Sequence, residues 1–354
     1  EYSQVIITSK NDSVYANIQT SHGRIYEVRK KNGIPVAIEK KQTTDGECGN
    51  DIHVTDLKGV EKNKTFTKKK ITIDEIFIDD IFLLNPIIQV LVLYTEDVFD
   101  IYGSVTDVEL FIAAIEADVN LGYDNSNVRQ RINIVHNQQV DFQEGVYSDG
   151  SIPCAFLPIH SGCVIPSALH YMSNSFAIKS LRNTHKADMV AMLVKPQGGA
   201  LRGQARGIPV TKTMLRKGEF LGYYLADDGS VYSEVHVDEP FVSVWSAFAI
   251  DQHIFAHELG HLQGARHDLA ADPSPDSEIL YPYGHGFCGS DPFMIGIVNY
   301  KTIMSYVSCF NYDEEPHYDR FLNYWSDPDL TWIFYTLGSV DDEDNVRLLN
   351  ATGS

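Results

Sequence analysis

Nowhere in the 354 residues does an apolar run approach the roughly twenty that a membrane-crossing helix needs, so no helical span is expected. Positive charge is scarce: 28 Lys+Arg stand against 48 Asp+Glu, a net charge of −20. That balance argues against nucleic acid and anionic membranes as partners. The shortage is local. Residues 1–80 hold 13 basic and 13 acidic groups, which leaves 15 and 35 for the remainder. The excess reads as solubility in an extracellular medium, with attraction of basic substrates as the sharper alternative. Cysteine is sparse and odd in number, five in all. No leader is visible at Glu1-Tyr2-Ser3, and the expectation is that one was removed or not included.

What the chain does have is HELGHLQGARHD, His257 to Asp268. His257 and His261 are four apart and lie one turn apart on the same helix face. Glu258 sits beside the first of them, where it reaches a water on a bound metal without being a ligand. Gly264 suits the end of the helix, because it tolerates the left-handed turn that brings His267 back. Three neutral imidazoles favour one Zn²⁺ ion and leave a fourth position for water, as a catalytic site requires. Five specified residues at fixed spacing set this apart from a helix carrying three histidines by chance.

These residues resemble the elongated zinc motif of the metzincin metallopeptidases. Thr302-Ile303-Met304-Ser305-Tyr306 looks like the Met-turn of that family, with Met304 packed beneath the imidazoles rather than bound to metal. Asp268 after the third histidine is the adamalysin (reprolysin) variant, and the likeness to bacterial secreted reprolysins, peptidyl-Asp metalloendopeptidases among them, runs from about Ile87 onward. Leu262-Gln263 departs from the Asn-Leu that adamalysins commonly carry there, which touches no ligand position. The resemblance implies Glu258 as general base in peptide hydrolysis. In astacin-like and serralysin-like members a tyrosine at the offset of Tyr306 approaches the metal or the oxyanion, whereas adamalysins usually lack it, so Tyr306 is either such a transition-state stabiliser or a tyrosine packed in the turn. Asp268 is implied to be structural.

The fold class expected is α/β (α+β): a metzincin catalytic domain with a twisted mixed sheet, zinc helix and Met-turn, preceded by a small β-rich prodomain. Residues 1–67 form that N-terminal unit, with runs at 4–8, 13–18 and 24–28 and an edge strand at 34–38 around Pro35. Residues 68–85 are a linker or activation segment, opening on Lys68-Lys69-Lys70, and 86–354 are the catalytic domain. In it, 87–94 is a strand buried on both faces. A helix is expected at 106–121 with Thr106 as N-cap, a strand at 132–135 with 140–142, a helix at 168–181 and a strand at 188–194. The zinc helix spans 249–262. The edge strand that pairs with substrate in metzincins is sought among the tyrosine-rich candidates at 222–237. Asp341–Asp344 reads as a solvated acidic face; calcium is allowed but not indicated.

Four cysteines fall in two local pairs, Cys154 with Cys163 and Cys288 with Cys309. Three connectivities are open, and local pairing is favoured because each pair closes a loop near the site. Disulfides imply an oxidising, secreted setting. Cys48 is left over, between Gly46 and Gly49. A thiolate would fill the open zinc position and hold the precursor latent, with the N-terminal unit as intramolecular inhibitor. Matrixin and adamalysin proenzymes use such a cysteine, although the loop here shares only Cys48-Gly49 and a nearby Asp with the matrixin Pro-Arg-Cys-Gly-x-Pro-Asp motif; a free surface thiol and an intermolecular disulfide are the alternatives. The function expected is thus a secreted, monomeric zinc endopeptidase acting on protein or peptide substrates, made as a zymogen. The alternative is a silent metzincin-fold binding or toxin-like module.

Overall fold

The computed structural model describes residues 3–20, 23–31, 33–40, 47–48, 86–144, 164–195, 201–206, 219–225, 231–237, 240–246, 249–272, 281–291, 298–305 and 318–352, with the backbone alone at 47–48, 201, 219–225, 231–237, 245, 291, 298 and 318. Helices and sheets are mixed along the chain, an α+β organisation.

β1 (Gln4–Lys10), β2 (Ser13–Gln19), β3 (Ile25–Lys31) and β4 (Ile34–Lys40) form an antiparallel meander in sequence order. Asn11 takes a φ of 54° in the turn between the first two, a conformation asparagine tolerates. Pro35 lies in β4, at the sheet edge where its missing N–H costs least. One face of this sheet buries Gln4, Ile6, Tyr15, Asn17, Glu27 and Arg29, while Val5, Ile7, Val14 and Ile34 face solvent.

The central sheet has six strands in the order β5-β9-β12-β8-β6-β7. They are β5 (Glu47–Cys48), β9 (Leu201–Ala205), β12 (Phe241–Trp245), β8 (Met189–Val194), β6 (Ile87–Tyr94) and β7 (Arg131–Gln139). The last four run parallel to one another, β9 is antiparallel to β12, and β5 is parallel to β9. Period-two alternation sorts the side chains of β6. Val90 and Val92 face a core with α2 (Val105–Asn125) and α5 (Ile254–Leu262). Leu91 and Leu93 face a core with α3 (Val164–Asn174) and Ile178 of α4 (Phe176–His185).

Several boundaries differ from expectation for local reasons. A short helix, α1 (Glu96–Tyr102), was not expected; seven residues carry too little periodicity, but Thr95 caps it by accepting from the Val98 N–H and Gly103 ends it at φ 82°. Ser104, not Thr106, caps α2: its hydroxyl accepts from the Asp107 N–H at 3.1 Å and donates to Asp107 Oδ2 at 2.7 Å. The helix expected at 168–181 is two helices, because Ser175 leaves the α region and caps the second by accepting from the Ile178 N–H. Residues 140–142 follow β7 rather than continuing it. The candidates at 222–237 form a separate hairpin, β10 (Glu219–Leu225) with β11 (Val231–Val237); that end of the central sheet is formed by β9, covered on its outer side by the two residues of β5, and the five residues of β9 with a central glycine carry no strand pattern. α5 starts at Ile254 and not at 249, since His253 holds a left-handed φ of 56°.

Candidate metal centre

α5 presents His257, Glu258 and His261, all buried. The helix ends at Leu262, and Gly264 follows at φ 102°. The Ala265 N–H donates to the Gly260 carbonyl at 2.9 Å and the Gly264 N–H to the His261 carbonyl at 3.0 Å, the paired bonds of a Schellman cap. That reversal delivers His267 to the same place. His267 Nε2 lies 3.1 Å from Nε2 of both His257 and His261.

The outer ring nitrogens decide what those contacts are. His257 Nδ1 faces the Ile303 carbonyl at 2.7 Å and His261 Nδ1 the Ala265 carbonyl at 2.9 Å. A carbonyl only accepts, so each Nδ1 carries the proton and each Nε2 turns a lone pair inward. Burial pulls the His257 pKa down to about 4, and it pulls His261 and His267 well below their usual value, helped by the neighbouring rings. Neutral imidazoles whose Nε2 atoms converge, two of them with the lone pair turned inward, suit a cation between them. Tetrahedral zinc with Zn–N near 2.0–2.1 Å spaces its ligand nitrogens at roughly 3.3 Å, so the donor set fits zinc. The three histidines are the one group able to hold a metal among the described residues.

The floor is built from residues far along the chain. The Ile303 N–H donates to the Tyr324 carbonyl and the Ser305 N–H to the Thr302 carbonyl, forming the turn that carries Met304. A Cβ added at Gly260 would stand 2.7 Å from Met304 Sδ and 2.9 Å from the Trp325 ring, so glycine lets this turn press against α5. Trp325 stacks on Tyr123 with ring centroids 5.6 Å apart. Asp268 accepts from the Ser305 hydroxyl at 3.1 Å and from the Ala270 and Ala271 N–H groups, the structural place expected of it. His285 Nδ1 donates to the His267 carbonyl at 2.8 Å and fixes the third ligand's backbone.

A family model, Reprolysin_5, described as Metallo-peptidase family M12, matches residues 85–314, which takes in the three histidines, Glu258 and Met304. The chain belongs to this family. Among its relatives, the peptidyl-Asp metalloendopeptidase of Xanthomonas campestris is 28% identical over 262 residues, 74% of this chain and 49% of that protein. The enzyme of the same name from Stenotrophomonas maltophilia K279a is 29% identical over 262 residues, 74% of this chain and 50% of that protein. One from Pseudomonas fragi is 39% identical over 95 residues, 27% of this chain and 50% of that protein. The M12 chain thus spans about half the length of the curated relatives it matches.

Beside the M12 histidines runs β9. A Cβ at Gly203 would collide with Glu258 Oε1, so this glycine gives the carboxylate its space. The register pairs Cys48 with Gly203, which brings the backbone of the odd cysteine to the strand beside Glu258. Cys288, at the head of β13 (Cys288–Asp291), is disulfide-bonded. Its expected partner Cys309, together with Cys154, Cys163 and Tyr306, lies outside the described residues.

Two further histidines that shape the site lack ligand spacing in the sequence, where each reads as a surface or a satisfied core residue. His253 Nδ1 meets Asp118 Oδ2 at 2.9 Å just ahead of α5, and His285 holds His267 as described. Asp118 itself sits on α2 in a helical hydrophobic pattern, and no motif marks it. It also accepts from Asn323 Nδ2 at 2.9 Å, tying the front of the zinc helix to the segment that carries Trp325.

Proposed function

We propose that this chain is a zinc-dependent endopeptidase, secreted as a zymogen and held latent by Cys48. The observation that carries the reading is the convergence of three imidazole Nε2 atoms with Glu258 next in sequence to the first. Bound zinc supplies a Lewis acid that polarises the scissile carbonyl and lowers the pKa of a water to about 7. Glu258 takes the proton from the attacking water and passes it to the leaving amine. The Nδ1 bonds to Ile303 and Ala265 hold the imidazoles in the metal-binding tautomer throughout. Tyr306 steadies the developing oxyanion, and replacing it by Phe should lower turnover without loss of substrate affinity.

The outer edge of β9 is where an extended substrate would add as a strand. In the latent chain Glu47–Cys48 occupies that edge, which supports Cys48 as the fourth ligand and residues 1–67 as the inhibitory unit, with activation by cutting in 68–85. The relatives' name suggests cleavage at aspartate, and profiling on a peptide library tests that preference.

The function as a whole is tested by casein hydrolysis after limited trypsin treatment, with and without a chelator. Hydrolysis that the chelator abolishes and added zinc restores is the expected result. Absence of chelator-sensitive hydrolysis, with no zinc by elemental analysis, would make this a silent binding module instead.

A further inference from the structure

The four-stranded N-terminal sheet meets the rest of the chain with charge and with apolar surface at once. Ile6 and Tyr15 belong to the same buried core as Tyr102, Phe111 and the inner residues of the central sheet. The Tyr15 ring sits 5.4 Å from Phe111 and 6.5 Å from Tyr102. Arg29 donates to the Ile101 carbonyl at 2.7 Å and lies over the Tyr102 ring. Gln4 Nε2 donates to buried Asp118 at 2.8 Å.

A second set of bonds reaches the turn that leads into the zinc helix. Asn17 Nδ2 donates to Asp251 Oδ1 at 2.6 Å, and Lys40 Nζ lies 2.9 Å from Asp251 Oδ2 and 2.7 Å from Glu27. Asp251, Asn17 and Glu27 are all buried. Removing the sheet would strip Asp251, just ahead of α5, of its cation, and would take one donor from Asp118, the α2 residue that meets His253 there. Among the described residues the sheet has no second layer of its own, and a sheet that buries one face needs a partner for it.

We propose that residues 3–40 are a permanent layer of the enzyme, which stays docked on α2 and the Asp251 turn after the chain is cut and keeps α5 in place, while the Cys48 segment alone leaves the site. This rests on the zymogen reading and divides its N-terminal unit into two parts: a sheet that remains and a strand at the β9 edge that is displaced. The partner of the α2 face is thus this chain's own N-terminal segment, before and after activation.

The test uses the full chain, cut in its lysine-rich stretch at Lys62–Lys70 by limited trypsin and passed over a gel-filtration column under native conditions. The N-terminal fragment should co-elute with the catalytic fragment in about equal amounts and separate only in denaturant. In the cut Lys40→Met protein the fragment should leave at least tenfold faster than in the cut wild type. Should Lys40→Met not fold, amide exchange of the cut wild type replaces it, with β1 to β3 as protected as in the uncut chain. Free elution of the N-terminal fragment, with the catalytic fragment still folded and fully active, would overturn the proposal. Cys48→Ser separates the two readings: loss of co-elution there would give the holding to residue 48 and overturn the sheet's role. Co-elution in a Cys48→Ser precursor that stays latent would support the sheet while rejecting the switch.

Discussion

Among the described residues, the segment 3–48 touches the remainder of the chain in two places built on different physics. At the back, Ile6 and Tyr15 enter the main core and Lys40 neutralises a buried aspartate. Side chains of that size are worth roughly 1.5–3 kcal/mol each when buried, and breaking a buried ion pair costs about 3–5 kcal/mol. At the front, two residues of backbone, Glu47 and Cys48, pair with Leu201 and Gly203 across an irregular register. A contact that short buries little, and under the proposed latency a thiolate on zinc would be the stronger local bond there. The difference teaches how one segment could be both anchored and released: cohesion resides where area is buried, and the proposed Cys48 switch would put control where a single bond decides.

Substitutions at the front should change chemistry and leave cohesion alone. Glu258→Gln keeps all three imidazoles, so zinc content and melting temperature should match the wild type while turnover falls on the order of 10²–10⁴-fold. Activity within a few-fold of wild type would move the base elsewhere. Cys48→Ser should yield a precursor that cleaves casein without prior cutting; a precursor as silent as wild type would remove the thiol from the account.

At the back the pattern should invert. Tyr15→Ala opens a cavity between Tyr102 and Phe111 and should cost about 3–5 kcal/mol in urea unfolding of the uncut chain. Turnover per folded molecule should stay unchanged, and a normal unfolding midpoint would refute the shared core. Gly260→Ala strikes between the two regions. Its methyl meets Met304 and Trp325, so stability should drop by roughly 1–3 kcal/mol and zinc affinity with it.

The smallest effect expected belongs to neither region. Burial raises the Glu343 carboxyl to about 7, with Asp342 and Asp268 adding to the shift and a bond from Ser339 opposing it. Its folded form therefore holds a proton more tightly than the unfolded form. The associated stability is complete below the unfolded pKa and is lost as pH rises through 7. Glu343→Gln should melt above the wild type at pH 8 and by a smaller margin at pH 5; equal margins at both would contradict the burial.

How far the sequence could be read follows from how local each signal is. His257, Glu258, His261, Gly264 and His267 lie within eleven residues, and helix period plus one glycine turn fixes their meeting. The strands at 4–10 and 87–94 were legible from β-branched runs. β9 was not, because its role comes from position: Gly203 matters through Glu258, 55 residues later, and nothing in Leu201–Ala205 announces a strand beside the histidines. Asp118, His253 and Asn323 form one buried cluster across 205 residues of chain, and each alone looks like an ordinary helix or loop residue. The docking of the N-terminal sheet was hidden for the same reason. Tyr15 and Lys40 acquire partners only once α2 and the Asp251 turn are in place.

The central claim is that the front contact is one metal–thiolate bond, and the zinc absorption edge tests it most directly. In the uncut chain the account predicts one zinc with three nitrogen ligands near 2.0–2.1 Å and one sulfur near 2.3 Å, the sulfur replaced by oxygen after the chain is cut. Three nitrogens and an oxygen before cutting, or no bound zinc at all, would contradict it.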